Sequence, residues 1–302
     1  MKLPNLEKTS IGYTIFKAWG DFTHNWLFYK RIYRTGTENV PVNEPFIIAP
    51  NHQNGLMDPV IMICVNKWEP VFLGRSDVFN NKILRKILFF FKVLPIYRIR
   101  DGIEALKQNE VIFKKTVELL EKKKYVAIFP EASHVGIRKL RTIHKGISRI
   151  YFSTEQKNEY KLGVKILPVG IYYSNYYSFR SIMQVNFGKP LNFEDLLEVY
   201  QTDENKAHRE FRDRLAAAIK PLIINIENDD HYDMYESMRE IYDKPMMIKN
   251  KADKFTQPEK FKADKKTIDI LNKFFETDSD GFTKFSETVK KYTNLLKKNK
   301  IR

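Results

Sequence analysis

The chain has 302 residues, 43% of them hydrophobic, with 52 Lys or Arg against 37 Asp or Glu and a formal net charge of +15. A single cysteine excludes an intrachain disulfide and a cysteine-ligated zinc site, and the composition excludes a collagen-like or disordered chain. These counts favour a reducing, cytosolic setting and one large domain, with or without an extension.

The positive charge indicates an anionic partner, and nucleic acid, a phospholipid surface and a phosphorylated substrate all satisfy that condition. Aromatic residues make up 14% of the chain. Aromatic side chains beside lysine and arginine suit a lipid–water interface, and they also suit single-stranded nucleic acid. Composition alone therefore leaves both classes of partner open.

The N-terminal region combines aromatic residues with charges. Met1–Ser10 has no apolar segment of the kind that a signal peptide requires. Ile11–Ile32 is the nearest candidate for a membrane span, but its charged residues make crossing a bilayer costly. Its aromatic residues follow a helical stripe, which predicts an interfacial helix or helix pair. A core-packing helix of a soluble domain is the alternative interpretation.

Short apolar runs alternate with helical patterns between residues 45 and 190. Strands are predicted at 46–49, 70–73, 93–97, 125–129, 165–173 and 183–187. Helices are predicted at 58–65, 82–92, 102–123 and 144–152. The alternation predicts an α/β fold with a mixed central sheet flanked by helices. Polar residues recur just after strand ends, where open α/β sheets bind ligands.

The pattern changes after about residue 192. Residues 192–200 and 204–226 have helical spacing, with Pro221 as a predicted kink. Residues 241–302 carry 16 Lys or Arg against 9 Asp or Glu, and two amphipathic helices are predicted around a turn at 278–281. This extension is either a pair of solvated helices or a membrane-facing surface. The predicted parts are an interfacial segment at 1–40, an α/β core at 41–192, helices completing the core at 193–240 and a basic extension at 241–302.

A histidine and an aspartate, His52 and Asp58, follow the first predicted strand. At one strand–loop–helix junction the aspartate can hold one tautomer of the imidazole while the other ring nitrogen takes a proton from a hydroxyl. No serine or cysteine lies here as a covalent nucleophile, and Cys64 is predicted to be a core residue. A purely structural hydrogen bond is the simpler interpretation of the pair taken alone.

Three further strand ends carry candidate binding residues. Glu131 follows a strand, and its carboxylate suits a polyol or an arginine, although a loop residue paired with lysine is equally consistent. Arg98 and Arg100 end another strand, and a guanidinium is planar and bidentate towards phosphate; surface arginines that bind nothing are the alternative. Pro168 and Gly170 interrupt an apolar strand, which predicts an edge or bulge and a close backbone approach.

These motifs resemble, in order and spacing, four blocks of the glycerolipid acyltransferase family. This family comprises the PlsC-like 1-acyl-glycerol-3-phosphate acyltransferases and the glycerol-3-phosphate acyltransferases. The resemblance covers about residues 40–190. The segments that carry it are Asn51-His52 through Asp58, Pro95 through Arg98, Phe129-Pro130-Glu131, Leu167-Pro168-Val169 and the following Gly188-Lys189-Pro190.

The resemblance implies an O-acyltransferase of phospholipid biosynthesis. His52 would be the general base on the acceptor hydroxyl, Asp58 would support it, and the hydroxyl would attack an acyl thioester with no acyl-enzyme intermediate. Arg98 would hold the acceptor phosphate. The other implied substrate-binding residues are Glu131, Arg75, Arg100, Asn54, Ser133 and His134, and the implied acyl path is Leu167, Pro168 and Val169. No bound cofactor or metal is implied; the donor is acyl-CoA or acyl carrier protein, and the acceptor is lysophosphatidate or glycerol-3-phosphate.

Two departures from the family pattern bear on the acceptor. The usual first block has four residues between histidine and aspartate, and this chain has five, which a tight turn at Asn54-Gly55 absorbs because glycine tolerates positive φ. The third block usually reads Phe-Pro-Glu-Gly-Thr-Arg, whereas Ala132, Ser133 and His134 stand at the last three positions here. A titratable cation thus replaces a permanent one. An acceptor other than lysophosphatidate is therefore favoured more strongly for this chain than for a typical member of the family.

The implied lipid substrates and the aromatic segment predict a monotopic enzyme on the cytoplasmic face of the cell membrane. The N-terminal segment and Lys82–Lys92 would lie at its anionic interface. One alternative is an O-acyltransferase acting on a lyso-aminolipid or another lysolipid. A second is a non-enzymatic basic nucleic-acid-binding protein, which is disfavoured because many aromatics lie inside apolar runs and no nucleic-acid module is recognisable. A third is an inactive member of the family.

Overall fold

The computed structural model describes residue 6 and residues 10–64, 68–97 and 103–299. Its central element is a seven-stranded sheet with the order β1-β7-β6-β2-β5-β3-β4. The strands are β1 Arg31–Thr35, β2 Phe46–Pro50, β3 Val71–Arg75, β4 Val93–Ile96, β5 Val126–Ile128, β6 Lys165–Tyr173 and β7 Ile182–Phe187. All neighbouring strands pair in parallel except β6 and β7, which are antiparallel. This mixed sheet confirms the predicted α/β class.

Helices cover both faces of the sheet. They are α1 Ile11–Phe22, α2 Met57–Cys64, α3 Lys82–Phe90, α4 Ile103–Glu121, α5 Gly146–Lys157, α6 Asp195–Thr202 and α7 Glu204–Ile219. β2 shows why the core has two halves: Ile47 and Ala49 lie in one buried cluster, and Phe46 and Ile48 lie in the other. Successive side chains of a strand point to opposite faces, so a strand that is apolar throughout needs cover on both sides.

The C-terminal end of α7 differs from the sequence prediction. The predicted helix continued to residue 226 with a kink at Pro221, but α7 ends at Ile219 and a 3₁₀ turn occupies Lys220–Leu222. Proline lacks the N–H that the next helical turn would need, and here the helix stops instead of bending.

The predicted N-terminal helical segment is shorter than expected. α1 ends at Phe22 and a π-helical turn follows at Thr23–Phe28. Arg31–Thr35 is not helical, because it forms the edge strand β1, paired in parallel with β7 from Arg31↔Ile182 onward. Charged residues are common on edge strands, where they discourage pairing with other chains, and they hid this strand from a search for apolar runs.

The proline–glycine strand lies inside the sheet, between β7 and β2, so the prediction of an edge at Pro168 is wrong. The predicted bulge is present. Between the pairs Val169↔Phe187 and Ile166↔Leu191, β6 has two residues and the opposite segment has three. The hydrogen-bond ladder is therefore interrupted at Pro168, which has no N–H to donate. The predicted close approach is also present, because a Cβ added at Gly170 would lie 2.0 Å from the carbonyl oxygen of Leu222.

The chain forms two compact units, Met1–Ile223 and Ile224–Arg302, and the four-part division predicted above stays a prediction. The described helices of the second unit are α8 Tyr232–Ile241, α9 Asp243–Lys249, α10 Gln257–Thr277 and α11 Ser279–Lys298. Of the predicted turn at 278–281, only Asp278 lies between α10 and α11. Its carboxylate accepts from the N–H of Gly281 at 2.8 Å and caps α11, so the helix begins directly after it.

A buried ion network lies inside the second unit. The Arg239 guanidinium contacts the fully buried Asp264 carboxylate at 2.8 Å and the Glu236 carboxylate at 2.9 Å. Lys260 reaches Asp264 at 3.3 Å and Asp243 at 2.8 Å.

None of the helices in the described parts of the chain combines the length and apolar character needed to span a bilayer.

Candidate active site

Asn51 fixes the loop that follows β2. Its buried side chain donates to the carbonyl oxygen of Ile171 at 3.2 Å and accepts from the N–H of Ile171 at 2.6 Å. A strand residue would make such a pair of bonds with its backbone, so Asn51 joins the end of β2 to β6 through its side chain. The backbone of the next residue, His52, is thereby free to turn away from the sheet.

The structure brings the two predicted catalytic residues together. Nδ1 of His52 lies 2.9 Å from Oδ2 of Asp58. An ionised carboxylate can only accept a hydrogen bond, so Nδ1 carries the proton and Nε2 keeps its lone pair. The Asp58 side chain is fully buried, whereas that of His52 is 14% exposed. This is the arrangement that a general base requires.

Asp58 also fixes the backbone of the loop. Its Oδ2 accepts from the N–H groups of Gln53 and Asn54, each at 2.8 Å, in addition to His52. Its Oδ1 accepts from the Tyr173 hydroxyl at 2.6 Å. Asp58 lies in the first turn of α2, so the helix start, the loop and the end of β6 meet at one carboxylate.

The extra residue between His52 and Asp58 is absorbed in the predicted turn. Gly55 has a φ of 36°, in the region that glycine adopts without strain. The N–H of Met57 donates to the carbonyl oxygen of Asn54 at 2.8 Å and closes this turn directly before α2. The longer spacing therefore coexists with contact between histidine and aspartate.

Glu131 is a buried bridge between two segments of backbone. Its Oε1 accepts from the N–H of His52 at 2.6 Å, and its Oε2 accepts from the N–H of Arg141 at 2.7 Å. The residue is 1% exposed. Burial raises the pKa of the Glu131 carboxyl to about 7, although both N–H donors act in the opposite direction. The contacts described here are to backbone, and the predicted contact with the glycerol part of a substrate stays a prediction.

Two rings flank His52. Phe129 stacks on its imidazole, with ring centroids 4.4 Å apart and planes at 28°. The exposed imidazole of His134 lies edge-on, with centroids 5.3 Å apart. A Cβ added at Gly55 would lie 3.1 Å from Nε2 of His134, so glycine at this position makes room for the second histidine. The predicted binding residue His134 thus lies beside the histidine–aspartate pair.

Arg141 is a residue near the site that none of the sequence motifs indicated. Its guanidinium donates to the Ser133 hydroxyl, and its backbone N–H is held by Glu131. It is exposed and brings a permanent cation close to the predicted binding residues Ser133 and His134. A usable signal was present, because no acidic residue occurs between Glu131 and Glu155 while several basic residues do.

Arg75 is the described member of the three arginines predicted to bind substrate, and it is paired with a carboxylate. Arg75, at the end of β3, forms a bidentate pair with Asp77, with Nε–Oδ1 at 3.1 Å and Nη2–Oδ2 at 2.5 Å. The adjacent carboxylate offsets its charge and reduces its value for binding phosphate. Arg98 and Arg100 lie outside the described residues.

The remaining predicted residues divide between loop and core. Asn54 donates from Nδ2 to the carbonyl oxygen of Tyr176 at 3.1 Å, which holds the loop against the segment after β6. Leu167, Pro168 and Val169 are buried inside β6, where Leu167 and Val169 pack in the same cluster as Phe46. Their assignment to an acyl path stays a prediction.

A second layer behind the loop was also missed. The Tyr176 hydroxyl donates to Oε1 of Gln53 at 2.5 Å. The Arg138 guanidinium lies between the rings of Tyr172 and Tyr176, 4.8 and 5.0 Å from their centroids, and is 3% exposed. The tyrosines around the end of the predicted strand 165–173 were the available signal.

Other reactive groups are poorly placed. Cys64 is buried, and burial raises the pKa of its thiol to about 12, so it is a poor nucleophile near neutral pH. Among the described residues, no group of three or more histidine, cysteine, aspartate or glutamate side chains is arranged to hold a metal ion.

An exposed apolar surface is a separate feature of the first unit. The ring of Phe16 in α1 packs against the rings of Phe91 and of Phe90 in α3, with centroids 4.8 and 6.3 Å apart. These contacts place the two helices side by side. The large apolar side chains that remain exposed on these helices and the π-helical turn are Ile11, Ile15, Trp19, Phe22, Trp26, Leu27, Phe28, Ile83, Leu84, Ile87 and Phe90. Contiguous exposed apolar groups of this kind mark interaction surfaces.

Residues 31–172 match the family model described as Acyltransferase. The match spans the loop, the histidine–aspartate pair and most of the sheet. It confirms the prediction of an acyltransferase, and together with the Borreliella burgdorferi relative described next it supports the predicted resemblance to glycerolipid acyltransferases.

Two individual proteins are similar to parts of this chain. The chain is similar to a 1-acyl-sn-glycerol-3-phosphate acyltransferase of Borreliella burgdorferi, with 28% identity over 158 residues, 52% of this chain and 58% of that protein. The chain thus spans less than two thirds of that relative's length. The crystal structure of the 1-acyl-sn-glycerophosphate acyltransferase PlsC from Thermotoga maritima aligns with 67% of this chain and 76% of that one, at 18% identity and a TM-score of 0.45.

Proposed function

We propose that this chain, whose residues 31–172 match the acyltransferase family, transfers a fatty acyl group from a thioester to a hydroxyl of lysophosphatidate or glycerol-3-phosphate. The observation that carries the proposal is the His52–Asp58 pair at the end of β2. Its partly exposed imidazole can accept a proton, while its buried carboxylate can stabilise the imidazolium that results.

The mechanism needs no covalent intermediate on the enzyme. Nε2 of His52 takes the proton of the acceptor hydroxyl as the hydroxyl oxygen bonds to the thioester carbonyl carbon. The tetrahedral intermediate then collapses, the carbon–sulfur bond breaks, and the thiolate leaves and receives a proton from the imidazolium. Asp58 keeps its negative charge throughout and stabilises the charged imidazole. Burial of Cys64 supports this direct route.

Recognition of an anionic acceptor would depend on arginine. Arg98 is the residue that the family resemblance assigns to the acceptor phosphate. Arg141 is a described arginine whose backbone is tied to that of His52 through the Glu131 carboxylate. Guanidinium groups bind phosphate through bidentate, charge-assisted hydrogen bonds. Alanine at Arg141 should therefore raise the KM for a phosphate acceptor by about tenfold or more. Alanine at Arg75, already paired with Asp77, should change it much less.

The donor would be acyl-CoA or acyl carrier protein, both of which are anionic and suit a chain of net charge +15. We place the protein on the cytoplasmic face of the cell membrane, as a peripheral, monotopic enzyme. The apolar surface on α1 and α3 supports this placement, because exposed aromatic and aliphatic side chains partition into the lipid interface.

The membrane proposal has its own test. An Ile83→Asp substitution places a charge on an exposed position of α3, and we expect it to weaken sedimentation with anionic vesicles by about tenfold. Ile248→Asp, at an exposed position of α9, is the matched control and should bind as the wild type does. Equal binding by wild type and Ile83→Asp would contradict the proposed surface.

A second candidate acceptor is a lyso-aminolipid or another lysolipid. The observation that favours it is His134, which lies where the family pattern has a permanent cation and whose ring nitrogens make no hydrogen bond within the described residues. Such an acceptor would use the same His52–Asp58 pair with less phosphate binding. Arg98→Ala should then impair phosphate acceptors far more than the others.

The decisive experiment is acyl transfer from labelled acyl-CoA and labelled acyl carrier protein to a panel of these acceptors. We expect product with one acceptor class and a loss of about 10⁴-fold or more in His52→Ala, because this substitution removes the base itself. His144→Ala removes an exposed histidine outside the pair and is the matched control. Undiminished product in His52→Ala would overturn the mechanism. Folded protein that is inactive with every pairing would overturn the proposed substrates.

A further inference from the structure

The two oxygens of the Asp58 carboxylate have unequal sets of partners. Oδ2 accepts from His52 and from the N–H groups of Gln53 and Asn54, whereas Oδ1 accepts from the Tyr173 hydroxyl at 2.6 Å. Among the described residues, no other group donates to Oδ1. Because Asp58 is fully buried, water has no access to take the place of that hydroxyl. The orientation of the carboxylate thus depends on a single donor on one side.

Tyr173 is fixed by its surroundings. It is the last residue of β6, it is fully buried, and its ring lies 6.2 Å from that of Tyr29 and 5.7 Å from that of Tyr176. Burial, together with the adjacent Asp58 charge, raises the pKa of the phenol well above its usual value, so the hydroxyl keeps its proton and stays a donor. β6 thus fixes the position of the ring, and the protonated hydroxyl is held where it can donate to Asp58.

We propose that Tyr173 is a positioning residue that holds the Asp58 carboxylate in the rotamer in which Oδ2 faces His52 and the loop N–H groups. The catalytic consequence of this inference rests on the acyltransferase function proposed above; the structural consequence does not. The residue lies 115 positions from Asp58 in the chain, outside all the motifs that carry the family resemblance.

Loss of the hydroxyl has a defined physical result. In Tyr173→Phe the ring still fills its place, but Oδ1 becomes a buried acceptor without a donor, which costs free energy. The carboxylate regains freedom to rotate, and each rotation away from the native angle breaks the bonds from His52, Gln53 and Asn54 together. The imidazole and the loop then lose their common anchor.

The kinetic test compares Tyr173→Phe with Tyr29→Phe. Tyr29 is equally buried beside Tyr173, and its hydroxyl is not among the partners of Asp58, so it controls for loss of a buried hydroxyl. We expect Tyr173→Phe to lower kcat about 10-fold to 100-fold, less than the fall of about 10⁴-fold that we expect for loss of the aspartate itself. The KM values should stay within about threefold, since no substrate contact is removed. An unchanged kcat, or a rise in KM alone, would overturn the proposal.

A double-mutant cycle separates positioning from general destabilisation. If Tyr173 acts through Asp58, then adding Tyr173→Phe to Asp58→Asn should change kcat by less than about threefold, because the group that it orients is already altered. Independent effects that multiply in the double variant would show that Tyr173 does not act through Asp58. Circular-dichroism melting of each variant confirms that folded protein is compared.

Amide hydrogen exchange tests the inference without any activity. In Tyr173→Phe the amides of Gln53 and Asn54 should exchange about tenfold faster, while amides of β2 and of the second unit keep their wild-type rates. Tyr29→Phe should leave all of them unchanged. Wild-type exchange in this loop of Tyr173→Phe would overturn the positioning role. Faster exchange together with a wild type that transfers no acyl group would instead overturn the proposed function alone.

Discussion

Asp58 and Asp264 are both fully buried aspartates, but their partners differ in kind. Asp264, in the second unit, contacts two cations, Arg239 and Lys260. Asp58, in the first unit, contacts neutral donors and one titratable imidazole. Burial raises the pKa of the Asp264 carboxyl, and its two cations act in the opposite direction.

The difference separates a structural carboxylate from one that is available for chemistry. Permanent cations already balance the charge of Asp264, so a further positive charge would gain little there. Neutral donors solvate Asp58 without neutralising it, which leaves its charge available to an imidazolium at His52. Substitutions of buried and exposed carboxylates test this contrast.

Asp58→Asn should have the largest effect, a fall of about 10⁴-fold in the rate of acyl transfer. An amide carries no charge to stabilise the imidazolium, and it permits the other tautomer of His52. Turnover with the acceptor found in the panel measures the change. Asp264→Asn is the matched control, since its activity per folded molecule should be that of the wild type. A fall of less than about tenfold in Asp58→Asn would remove the distinction between the two residues.

Arg239→Ala should have the next largest effect, on stability. It removes the guanidinium that lies 2.8 Å from the buried Asp264 carboxylate, and breaking a buried pair costs about 3–5 kcal/mol of unfolding free energy. Urea denaturation, with fluorescence as the probe, measures the loss. Arg214→Ala breaks an exposed pair with Asp195 and should cost less than about 1 kcal/mol. Similar costs for both variants would show that the Arg239 network is not effectively buried.

Glu131 is a third buried carboxylate, held by two N–H groups and, among the described residues, without a directly paired cation. Its pKa is about 7 in the folded protein against about 4.5 when exposed. A raised carboxyl pKa means that the folded state binds the proton more tightly, so this contribution to stability is full below about pH 4.5 and is lost as pH rises through about 7.

From this shift we expect the free energy of unfolding of the wild type to fall by about 3 kcal/mol more than that of Glu131→Gln between pH 5 and pH 8. The substitution removes the titration and leaves the other groups in place. Urea midpoints of the two proteins at both pH values give the difference. Parallel pH dependence in the two proteins would place the titration of Glu131 outside this range.

Asp278→Ala should have the smallest effect. This exposed aspartate caps α11 through the N–H of Gly281, and loss of such a cap typically costs about 1 kcal/mol. Urea denaturation at pH 7 is the measurement. Asp278→Asn keeps an acceptor oxygen at the cap and should recover most of the loss. No change in either variant would show that α11 does not depend on its cap.

Sequence patterns predicted the parts of the fold that local chemistry decides. Apolar runs located β2, β5, β6 and β7, and the position of His52 and Asp58 at a strand–helix junction located the central pair. β1 was missed because its charged residues gain their strand conformation from pairing with β7. Its helical prediction failed for the same reason, since tertiary pairing overrode a local pattern.

The missed site residues are the ones that distant parts of the chain deliver. Tyr173 contacts Asp58 across 115 positions, and Arg141 reaches the site through its backbone bond to Glu131. No spacing rule links such residues, because the fold alone makes them neighbours. The aromatic stripe of α1 was predicted, but whether its apolar side chains face the core or remain exposed depended on how α1 packs against α3.

The side-chain bridge from Asn51 to Ile171 also has a consequence for the order of folding. The loop that carries His52 takes its shape from bonds that close chain segments of 120, 79 and 115 residues, to Ile171, Glu131 and Tyr173. Contacts between such distant residues form slowly, since the ends of a long chain segment must meet first. Helices will therefore return early on dilution from denaturant, and the histidine–aspartate pair will be among the last features to assemble. A delay between recovery of the far-ultraviolet circular dichroism and recovery of catalysis would report that sequence of events.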